Sequence, residues 1–429
     1  MRDIAVLALF YGLLPFVPFR PILGLLMFSW LAYMRPQDIA WGLGSTRLSM
    51  LVMLATLVGM LLQRERFVTL RMPVVLMGLL LAWVGVTVQT SVLFEPSKER
   101  YVLLAKIVLV SALTAGLVRT RERFRLLLLT VAFSLGLLGL KYGLWGLLRG
   151  GARITHGPGG FMGDNNGFAL ALNMAIPLLV AVVLTERSVW LRVGASVLAA
   201  FTIVAVVFTF SRGGLLTLAV IGLLLVIRSG RPVTAVILLA LAFGGLWHFT
   251  SESFQEAYAD RAESIGQYEE DRAATDRIDA WGTALTVARE YPILGVGPAN
   301  FMLVYRRFGD PESVRVVHNA YLQWLTDSGL PALLLFVAML GVSIARLWRL
   351  ERSHEESWVK AYSRGLAISF VGYMVGAMFL DKAYYDLLYH LVGMTVALEV
   401  AAGATAVRSA GAVATLPWWG RQPTHSPST

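Results

Sequence analysis

One histidine has the surroundings expected of a residue that carries acid–base chemistry. His318 lies near the end of a long polar segment, residues 253–329, where the chain becomes apolar again. An imidazole can accept a proton from a hydroxyl group near neutral pH, so His318 could act as a general base. A lone histidine at such a boundary more often caps a helix or packs. The polar neighbours Asn319, Tyr321 and Arg315 favour the catalytic interpretation.

Two arginines could hold an anion next to this histidine. Arg212 lies in Ser211-Arg212-Gly213-Gly214, a turn between two apolar stretches where glycine permits close approach of another group. A simple interfacial turn with a solvated arginine is an equal alternative there. Arg277 opens an amphipathic helix that we expect to end near Glu290, with Trp281 on the same face and at the level of lipid headgroups.

Three other polar residues are candidates for binding sugar or orienting the histidine. Asn165 and Asn166 follow Asp164 at the start of a predicted helix; an N-cap is the favoured role for this group, and hydrogen bonding to sugar hydroxyls is the alternative. Asp381 lies in a short connection, where it could orient His318 or an arginine. An exposed ion pair is the safer interpretation of Asp381.

Lys106 and Lys141 lie within apolar stretches. A lysine inside a membrane costs ~2.5–3.5 kcal/mol on insertion scales, so it usually faces a partner or a polar cavity. Both lysines are predicted at similar depth beneath outward arginines, which favours an anion site at the outer leaflet. The alternative is that both side chains snorkel toward the headgroups.

No metal or cofactor site is predicted. The chain has no cysteine, which excludes disulfides, thiolate metal sites and a cysteine nucleophile. The remaining histidines show no i,i+4 pairing and no surrounding carboxylates: His156, His248, His354, His390 and His425.

The composition indicates which elements must position these residues. Of the 429 residues, 57% are hydrophobic and 15% are charged, which is typical of a polytopic membrane protein rather than a soluble domain. The net charge of +10 fits basic residues gathered on the cytoplasmic side, and no basic run interleaved with aromatics indicates nucleic-acid binding.

Apolar stretches long enough to cross a bilayer recur along the chain, and about twelve crossings follow from the ~20-residue requirement. The first, Ile4–Met34, contains three prolines and could be one kinked crossing or a hairpin. The others are Thr46–Leu62, Pro73–Thr90, Glu99–Val118, Phe124–Leu148, Gly167–Thr185, Val189–Phe210, Gly213–Ile227, Pro232–Phe249, Ala320–Leu347, Ala361–Leu380 and Asp386–Ala402.

Arginine clusters fall at alternate connections, which predicts that those connections lie in the cytoplasm and that the polar segment lies outside. We therefore expect an all-α polytopic membrane protein with one large helical outer loop. The predicted domains are transmembrane helices over 1–249, the loop over 250–318, further transmembrane helices over 319–404, and a cytoplasmic, disordered tail over 405–429.

Together these motifs resemble the O-antigen ligase and polymerase superfamily of bacterial membrane glycosyltransferases. The likeness covers most of the chain and is carried, in chain order, by Ser211-Arg212-Gly213, Arg277 with Trp281, Gly295-Val296-Gly297 with Phe301, and His318 through Leu322 to Gly329-Leu330. The start of the chain, with Met34-Arg35-Pro36-Gln37-Asp38, further resembles a subgroup of O-glycosylation ligases associated with exosortase systems.

The resemblance implies a GT-C-like enzyme in the inner membrane of a Gram-negative bacterium, with its active site facing the periplasm. Such enzymes transfer a glycan from undecaprenyl pyrophosphate to the core sugar of lipid A, with inversion and without a metal. Carried onto this chain, Arg212 and Arg277 would hold the pyrophosphate and His318 would activate the acceptor hydroxyl. We further expect pyrophosphate or sugar to be bound by Asn165, Asn166, Trp281, Tyr321 and Asp381 and, as an addition that the resemblance does not supply, by Arg315, Lys106 and Lys141.

Three alternatives stay open at this point. A polymerase or a protein O-oligosaccharyltransferase shares the donor and differs in its acceptor. The single large outer loop favours the ligase over the polymerase. A transporter of lipid-linked glycans belongs to a different class, but the chain shows no convincing internal repeat, and its deepest charges lie toward one side of the membrane rather than at the midplane.

Overall fold

Helices make up most of the described chain, as its long apolar stretches predict. The computed structural model describes residues 2–39, 47–230, 255, 272–310 and 312–414. The predicted span Pro232–Phe249, most of the polar segment before Arg272 and the tail from residue 415 lie outside the described residues. Among the described helices, seven are long and apolar enough to cross a membrane. The chain is therefore an all-α polytopic membrane protein, and the total of about twelve crossings stays a prediction.

The helices are α1 (Arg2–Leu13), α2 (Pro21–Tyr33), α3 (Pro36–Ile39), α4 (Leu48–Leu62), α5 (Met72–Gln89), α6 (Phe94–Leu117), α7 (Arg121–Leu148), α8 (Asn165–Thr185), α9 (Val189–Phe208), α10 (Arg212–Ile227), α11 (Arg272–Glu290), α12 (Phe301–Phe308), α13 (Ala320–Ser353), α14 (Ser357–Gly376) and α15 (Asp386–Ala414). Two strands, β1 (His156–Gly159) and β2 (Met162–Asp164), precede α8. The seven candidate spans are α5 to α9, α13 and the first part of α15.

The first apolar stretch folds as two helices. α1 gives way to a 3₁₀ turn over Leu14–Phe16, and α2 begins at Pro21. Proline lacks a backbone N–H and is tolerated in the first turn of a helix, which is where Pro15 and Pro21 lie. The observed break has the position that the prolines predict.

The long helices pack around α8, whose side chains are mostly buried. α8 contacts α7, α9, α10 and α14, while α15 packs on α6 and α13 packs on α5. Polar side chains join these helices across the apolar core: Asn173 on α8 donates to the carbonyl of Gly214 at 2.9 Å, and Ser369 on α14 donates to that of Met174 at 2.7 Å. Interhelical hydrogen bonds of this kind are a common means of joining membrane helices.

A short antiparallel hairpin, formed by β1 and β2, leads directly into α8. Sequence patterns do not predict it, because its strands are only four and three residues long. Its turn is covered by Arg35, which forms an ion pair with Asp38 at 2.5 Å. Phe161 in the same turn contacts the rings of Tyr33 and Tyr385 edge-on. The hairpin thereby fixes where α8 begins.

The described part of the predicted outer loop has its own small core. α11 ends at Glu290, as its periodicity predicts, and packs on α12 and on the start of α13. The buried residues of this core come from α11, α12 and the segments that follow them: Ala280, Ala284, Val287, Val296, Phe301, Val304, Tyr305 and Val317.

α13 is broken at Gly329, and a loop from the preceding segment fills the break. In a regular helix the N–H of residue 331 would donate to the carbonyl of Asp327, but Pro331 has no N–H. The N–H of Gly297 donates to that carbonyl instead, at 2.9 Å. The N–H of Val296 likewise donates to Thr326 at 2.8 Å. Gly329 has φ 76° and ψ −178°, and a Cβ there would lie 1.9 Å from the carbonyl oxygen of Ile293. Only glycine fits this position, and the Gly295-Val296-Gly297 sequence serves the helix break rather than a phosphate loop.

Ion pairs gather at the opposite ends of the helices. Arg125 and Glu186 form two bonds of 2.6 Å, and Arg123 meets Glu65 at 2.7 Å. Further pairs join Arg228 and Arg364 to Glu351, and Arg346 to Glu399. The arginine clusters that predict orientation therefore lie together on one side of the molecule, away from the hairpin and the loop.

Candidate active site

A cavity of about 200 Å³ lies where α8, α10, α11 and the end of α14 meet. It brings together four residues that the sequence indicates separately, namely Arg212, Arg277, Asn165 and Asn166. The full lining is Arg153, Asn165, Asn166, Leu170, Phe210, Ser211, Arg212, Gly213, Gly214, Thr217, Arg277, Gly376, Phe379 and Leu380. Three guanidinium groups from three different parts of the chain thus surround one space.

Arg212 is placed by the first turn of α10. The hydroxyl of Ser211 caps this helix by accepting the N–H of Gly214 at 3.0 Å. Phe210, directly before the cap, has a positive φ of 54°, which is uncommon for a non-glycine residue. This conformation turns the chain from α9 into α10, so that the helix N-terminus and Arg212 both border the cavity. The helix dipole adds positive potential there.

Asn165 and Asn166 lie in the first turn of α8, a second helix N-terminus at the cavity. As the sequence predicts, Asp164 is the N-cap and accepts the N–H of Gly167 at 2.7 Å. Asn165 donates to the carbonyl of Thr209 at 3.0 Å, which ties α8 to the end of α9. The other carboxylate oxygen of Asp164 accepts a bond of 2.7 Å from Lys382. Burial acts to raise the pKa of Asp164, but the bond and charge of Lys382 hold that pKa below its ordinary value.

Arg153 is a cavity residue that sequence reasoning did not select. It lies between α7 and β1, and the neighbouring N–H of Ile154 donates to the carbonyl of Phe208 at 2.8 Å. This bond fixes the segment against the end of α9. In the sequence, Arg153 is a predicted outward-facing arginine that lies shortly after a glycine pair, Gly150-Gly151. This pattern alone does not distinguish Arg153 from other outward-facing arginines.

His318 lies beside the cavity at the start of α13, in a backbone conformation with φ 49°. Trp281 donates its indole N–H to the carbonyl of Val317 at 3.0 Å, and Asn319 caps α13 by accepting the N–H groups of Tyr321 and Leu322. These two contacts hold the residues on both sides of the histidine. A positive φ at a non-glycine residue persists where the surroundings enforce it.

The imidazole of His318 faces a carboxylate. Its Nδ1 lies 3.9 Å from Oδ1 of Asp381, a separation longer than a hydrogen bond, and both side chains are about 40% exposed. Asp381 directly follows Leu380, a cavity residue, so the histidine and the cavity share one connecting segment. Asp381 thus lies beside His318, at a distance that fits the exposed ion pair predicted for it, and a role of Asp381 in orienting the imidazole stays a prediction.

Burial lowers the pKa of His318, and four neighbouring charges act on it in opposite directions. Asp381 and Asp164 act to raise it, while Arg277 and Lys382 act to lower it. The net direction is downward, so the imidazole is neutral at pH 7 and can accept a proton. Because Arg277 lines the cavity and also acts on His318, the cavity and the histidine are electrostatically linked.

Three predicted binding residues, Arg315, Tyr321 and Trp281, are not part of the cavity lining, and they form contacts that hold the backbone around His318. Arg315 pairs with Asp276 at 2.7 Å and with Asp279 at 2.9 Å, which ties the segment before His318 to α11. Tyr321 donates its hydroxyl to the carbonyl of Met374 on α14 at 3.0 Å. The structure therefore gives these residues positioning contacts.

Lys106 on α6 and Lys141 on α7 both have exposed side chains and lie outside the cavity lining. The ammonium group of Lys141 lies 5.1 Å from the ring centroid of Tyr142. Within the described residues, no group of three or more His, Asp or Glu side chains is arranged to hold a metal ion. Metal independence stays a prediction.

Two family descriptions match parts of the chain. Residues 195–337 match the O-antigen ligase family, and residues 1–168 match a family of unknown function, DUF5935. No curated protein matches. A solved chain described under "Structural coordination of polymerization and crosslinking by a peptidoglycan synthase complex" is 18% identical, with a TM-score of 0.43, over 77% of this chain and 96% of that one. The likeness to exosortase-associated ligases stays a prediction.

Proposed function

We propose that this chain, whose residues 195–337 match the O-antigen ligase family, is a ligase that transfers a glycan from undecaprenyl pyrophosphate to the core sugar of lipid A. The observation that carries the proposal is the cavity in which Arg153, Arg212 and Arg277 converge next to the His318–Asp381 pair. A cluster of fixed cations beside a neutral imidazole suits a displacement in which an anionic group leaves and a hydroxyl attacks.

The arginines and the two helix N-termini would bind the pyrophosphate. Guanidinium groups form paired, charge-assisted hydrogen bonds with phosphate oxygens, and helix N-termini add unpaired N–H groups and positive potential. As the anomeric bond breaks, negative charge grows on the leaving phosphate oxygen. Cations already fixed around that oxygen stabilise the transition state more than the ground state. The proposal needs no metal ion for this role.

His318 would activate the acceptor. Its Nε2 takes the proton of the acceptor hydroxyl while that oxygen forms a bond to the anomeric carbon. The bond from this carbon to the phosphate oxygen breaks, and undecaprenyl pyrophosphate leaves with the electron pair. Inversion follows because the hydroxyl attacks opposite the leaving group. Asp381 near Nδ1 would stabilise the imidazolium that forms.

The polarity of the molecule supports a periplasmic site in the inner membrane of a Gram-negative bacterium. α10 begins with Arg212 at the cavity and ends at Ile227, followed by Arg228 in the ion pairs with Glu351. At 1.5 Å per residue, these ends lie about 24 Å apart. Since the paired arginine clusters are predicted to be cytoplasmic, the cavity would open on the opposite side, where lipid-linked glycans are used.

The experiment is reconstitution of transfer with the purified protein. We would mix it with glycan-linked undecaprenyl pyrophosphate and rough lipopolysaccharide in the presence of a chelator, and follow transfer by gel. We expect transfer by the native protein, and a loss of about 10²-fold or more in His318→Ala, Arg212→Ala and Arg277→Ala. Arg289→Ala, which changes an exposed arginine on α11 outside the cavity, should leave transfer unchanged.

Other products would identify the alternatives. Longer lipid-linked chains without modified lipopolysaccharide would indicate a polymerase, and a glycan on protein would indicate an O-oligosaccharyltransferase. Movement of the lipid-linked glycan across vesicles with no new covalent bond would indicate a transporter. Transfer that survives His318→Ala would remove the general-base role and leave the ligase assignment standing.

A further inference from the structure

Outside the active site, α12 carries an unusual pattern of exposed residues. Its buried side, Phe301, Val304 and Tyr305, packs into the loop core. The opposite side exposes Met302 and Leu303 in the first turn, at 48% and 47%, and Arg306 and Arg307 in the next. Residues four apart lie above one another on a helix, so each apolar side chain is followed by an arginine on the same face. This face is apolar at one end and basic at the other.

Hydrogen bonds place the apolar end of this face at a membrane surface. The side-chain amide of Asn300, directly before α12, donates to the carbonyl of Leu93 at 3.1 Å and to the hydroxyl of Ser97 at 3.0 Å. Ser97 in turn donates to the carbonyl of Pro298 at 2.8 Å. Leu93 lies in the connection between α5 and α6, both candidate membrane spans. A connection between two spans lies at the bilayer boundary, and α12 starts at that level.

The connection itself exposes a row of apolar side chains. Val92, Leu93 and Phe94 are 52%, 48% and 45% exposed, and the N–H of Val92 donates to the carbonyl of Val296 at 3.0 Å. These residues and the Met302–Leu303 pair therefore flank one hydrogen-bonded junction. Exposed apolar groups gathered at a bilayer boundary are accounted for by contact with acyl chains.

We propose that α12 is a binding surface for anionic phospholipid, with Met302 and Leu303 inserted among acyl chains and Arg306 and Arg307 bound to headgroup phosphates. Interfacial helices combine these two contacts, and each basic residue near an anionic surface adds favourable attraction. Charge complementarity selects the partner: two adjacent exposed guanidinium groups favour phosphatidylglycerol over the zwitterionic phosphatidylcholine.

This contact would reach the cavity through the loop core. Val304 and Tyr305 on the buried side of α12 belong to the same core as Ala280 and Ala284 on α11. Arg277 lies one turn before Ala280. A lipid headgroup that holds α12 at the bilayer surface thus also holds α11, and with it one of the three cavity arginines.

The absence of native cysteine permits a direct test in the full chain. We would label Leu303→Cys with a fluorophore and reconstitute the protein in phosphatidylcholine bilayers. The bilayers would contain a fixed fraction of spin-labelled lipid, with the nitroxide high on the acyl chain and either a phosphatidylglycerol or a phosphatidylcholine headgroup. We expect quenching by both lipids and several-fold stronger quenching by the phosphatidylglycerol probe.

Arg306→Gln with Arg307→Gln should make the two probes equal, whereas Arg306→Lys with Arg307→Lys and the control Arg289→Gln should keep the preference. Thermal unfolding of each variant would establish that it is folded. Equal quenching by the two probes in the protein with both arginines would overturn the headgroup selection. Absence of quenching would overturn the membrane contact itself. Neither outcome depends on transfer activity.

Discussion

At the scale of single residues, the main feature of the site is the set of charged side chains that surround the imidazole of His318. Asp381 lies 3.9 Å from His318, while Lys382 is bonded to Asp164 at 2.7 Å. Neighbouring residues 381 and 382 therefore act on the histidine with opposite sign. In the proposed reaction a general base is useful only in its neutral form, so burial of the imidazole and these charges together would set the lowest pH of transfer.

The pH profile should move in opposite directions in two adjacent variants. Protonated His318 is inactive, so kcat/KM should fall on the acidic side of the lowered pKa of His318, below the ordinary 6.5. Asp381→Asn removes a charge that favours the imidazolium, so the pKa and the acidic limb should move to lower pH. Lys382→Gln removes a positive charge that disfavours the imidazolium, and it also removes the ion-pair partner of Asp164. The pKa of His318 and the acidic limb of the profile should therefore move to higher pH. Profiles of kcat/KM that move together, or not at all, would contradict the assignment.

One tryptophan should affect the reaction without touching a substrate. Trp281→Phe keeps an aromatic ring in the loop core but removes the donor to the carbonyl of Val317, a bond worth about 0.5–1.5 kcal/mol. We expect kcat for transfer to fall by about tenfold, the equivalent of about 1.4 kcal/mol, with little change in thermal unfolding. Trp190→Phe, at a position that is 87% exposed on α9, is the matched control and should change neither.

At the scale of elements, the break in α13 is the feature on which the site depends most. The segment 292–298 supplies backbone partners to Thr326 and Asp327, and the same segment starts the turn that leads to α12. One short loop thus joins α13, which begins two residues after His318, to the loop core that contains α11 and Arg277.

A matched pair of glycine substitutions tests that dependence. Gly329→Ala would place a Cβ 1.9 Å from the carbonyl oxygen of Ile293 in a backbone conformation that only glycine adopts readily, and should cost about 2 kcal/mol or more. Gly341→Ala, later in the same helix, meets no heavy atom within 4 Å and should be neutral or slightly stabilising. Thermal unfolding in detergent measures both. Equal stability of the two variants would mean that the loop does not hold the break.

The sequence predicts those elements whose signals are local. The N-cap at Asp164 and the end of α11 follow from residues within one or two turns. The place of Arg153 in the cavity cannot be predicted in this way, because it depends on a hydrogen bond from the N–H of Ile154 to the carbonyl of the distant Phe208. Lys106 and Lys141 have exposed side chains because of the rotation of α6 and α7, which apolar periodicity alone does not specify in helices that are apolar on all sides. Pro331 marks the break in α13, but the chain that fills it comes from 30 or more residues earlier.

At the scale of the whole molecule, the two polar ends make a clear prediction about orientation. Introduced into the cysteine-free chain, Glu312→Cys lies on the side of the cavity and Ser188→Cys on the side of the paired arginines. A membrane-impermeant maleimide should label Glu312→Cys in intact spheroplasts and Ser188→Cys only after lysis. The reverse pattern would place the cavity in the cytoplasm and contradict the proposed donor.

The interrupted α13 has a further consequence when the bilayer changes thickness. A continuous helix of this length would transmit any change of tilt to its first residue, Ala320, which lies two residues after His318. Here the break at Gly329 separates the part after Pro331 from the part before Ser328, which is attached to segment 292–298 through the bonds to Thr326 and Asp327, so we expect the two parts to tilt independently. We expect transfer rates that vary little between bilayers of short and long acyl chains. Gly329→Ala should make them depend on chain length, so that the break protects the reaction from differences in membrane thickness.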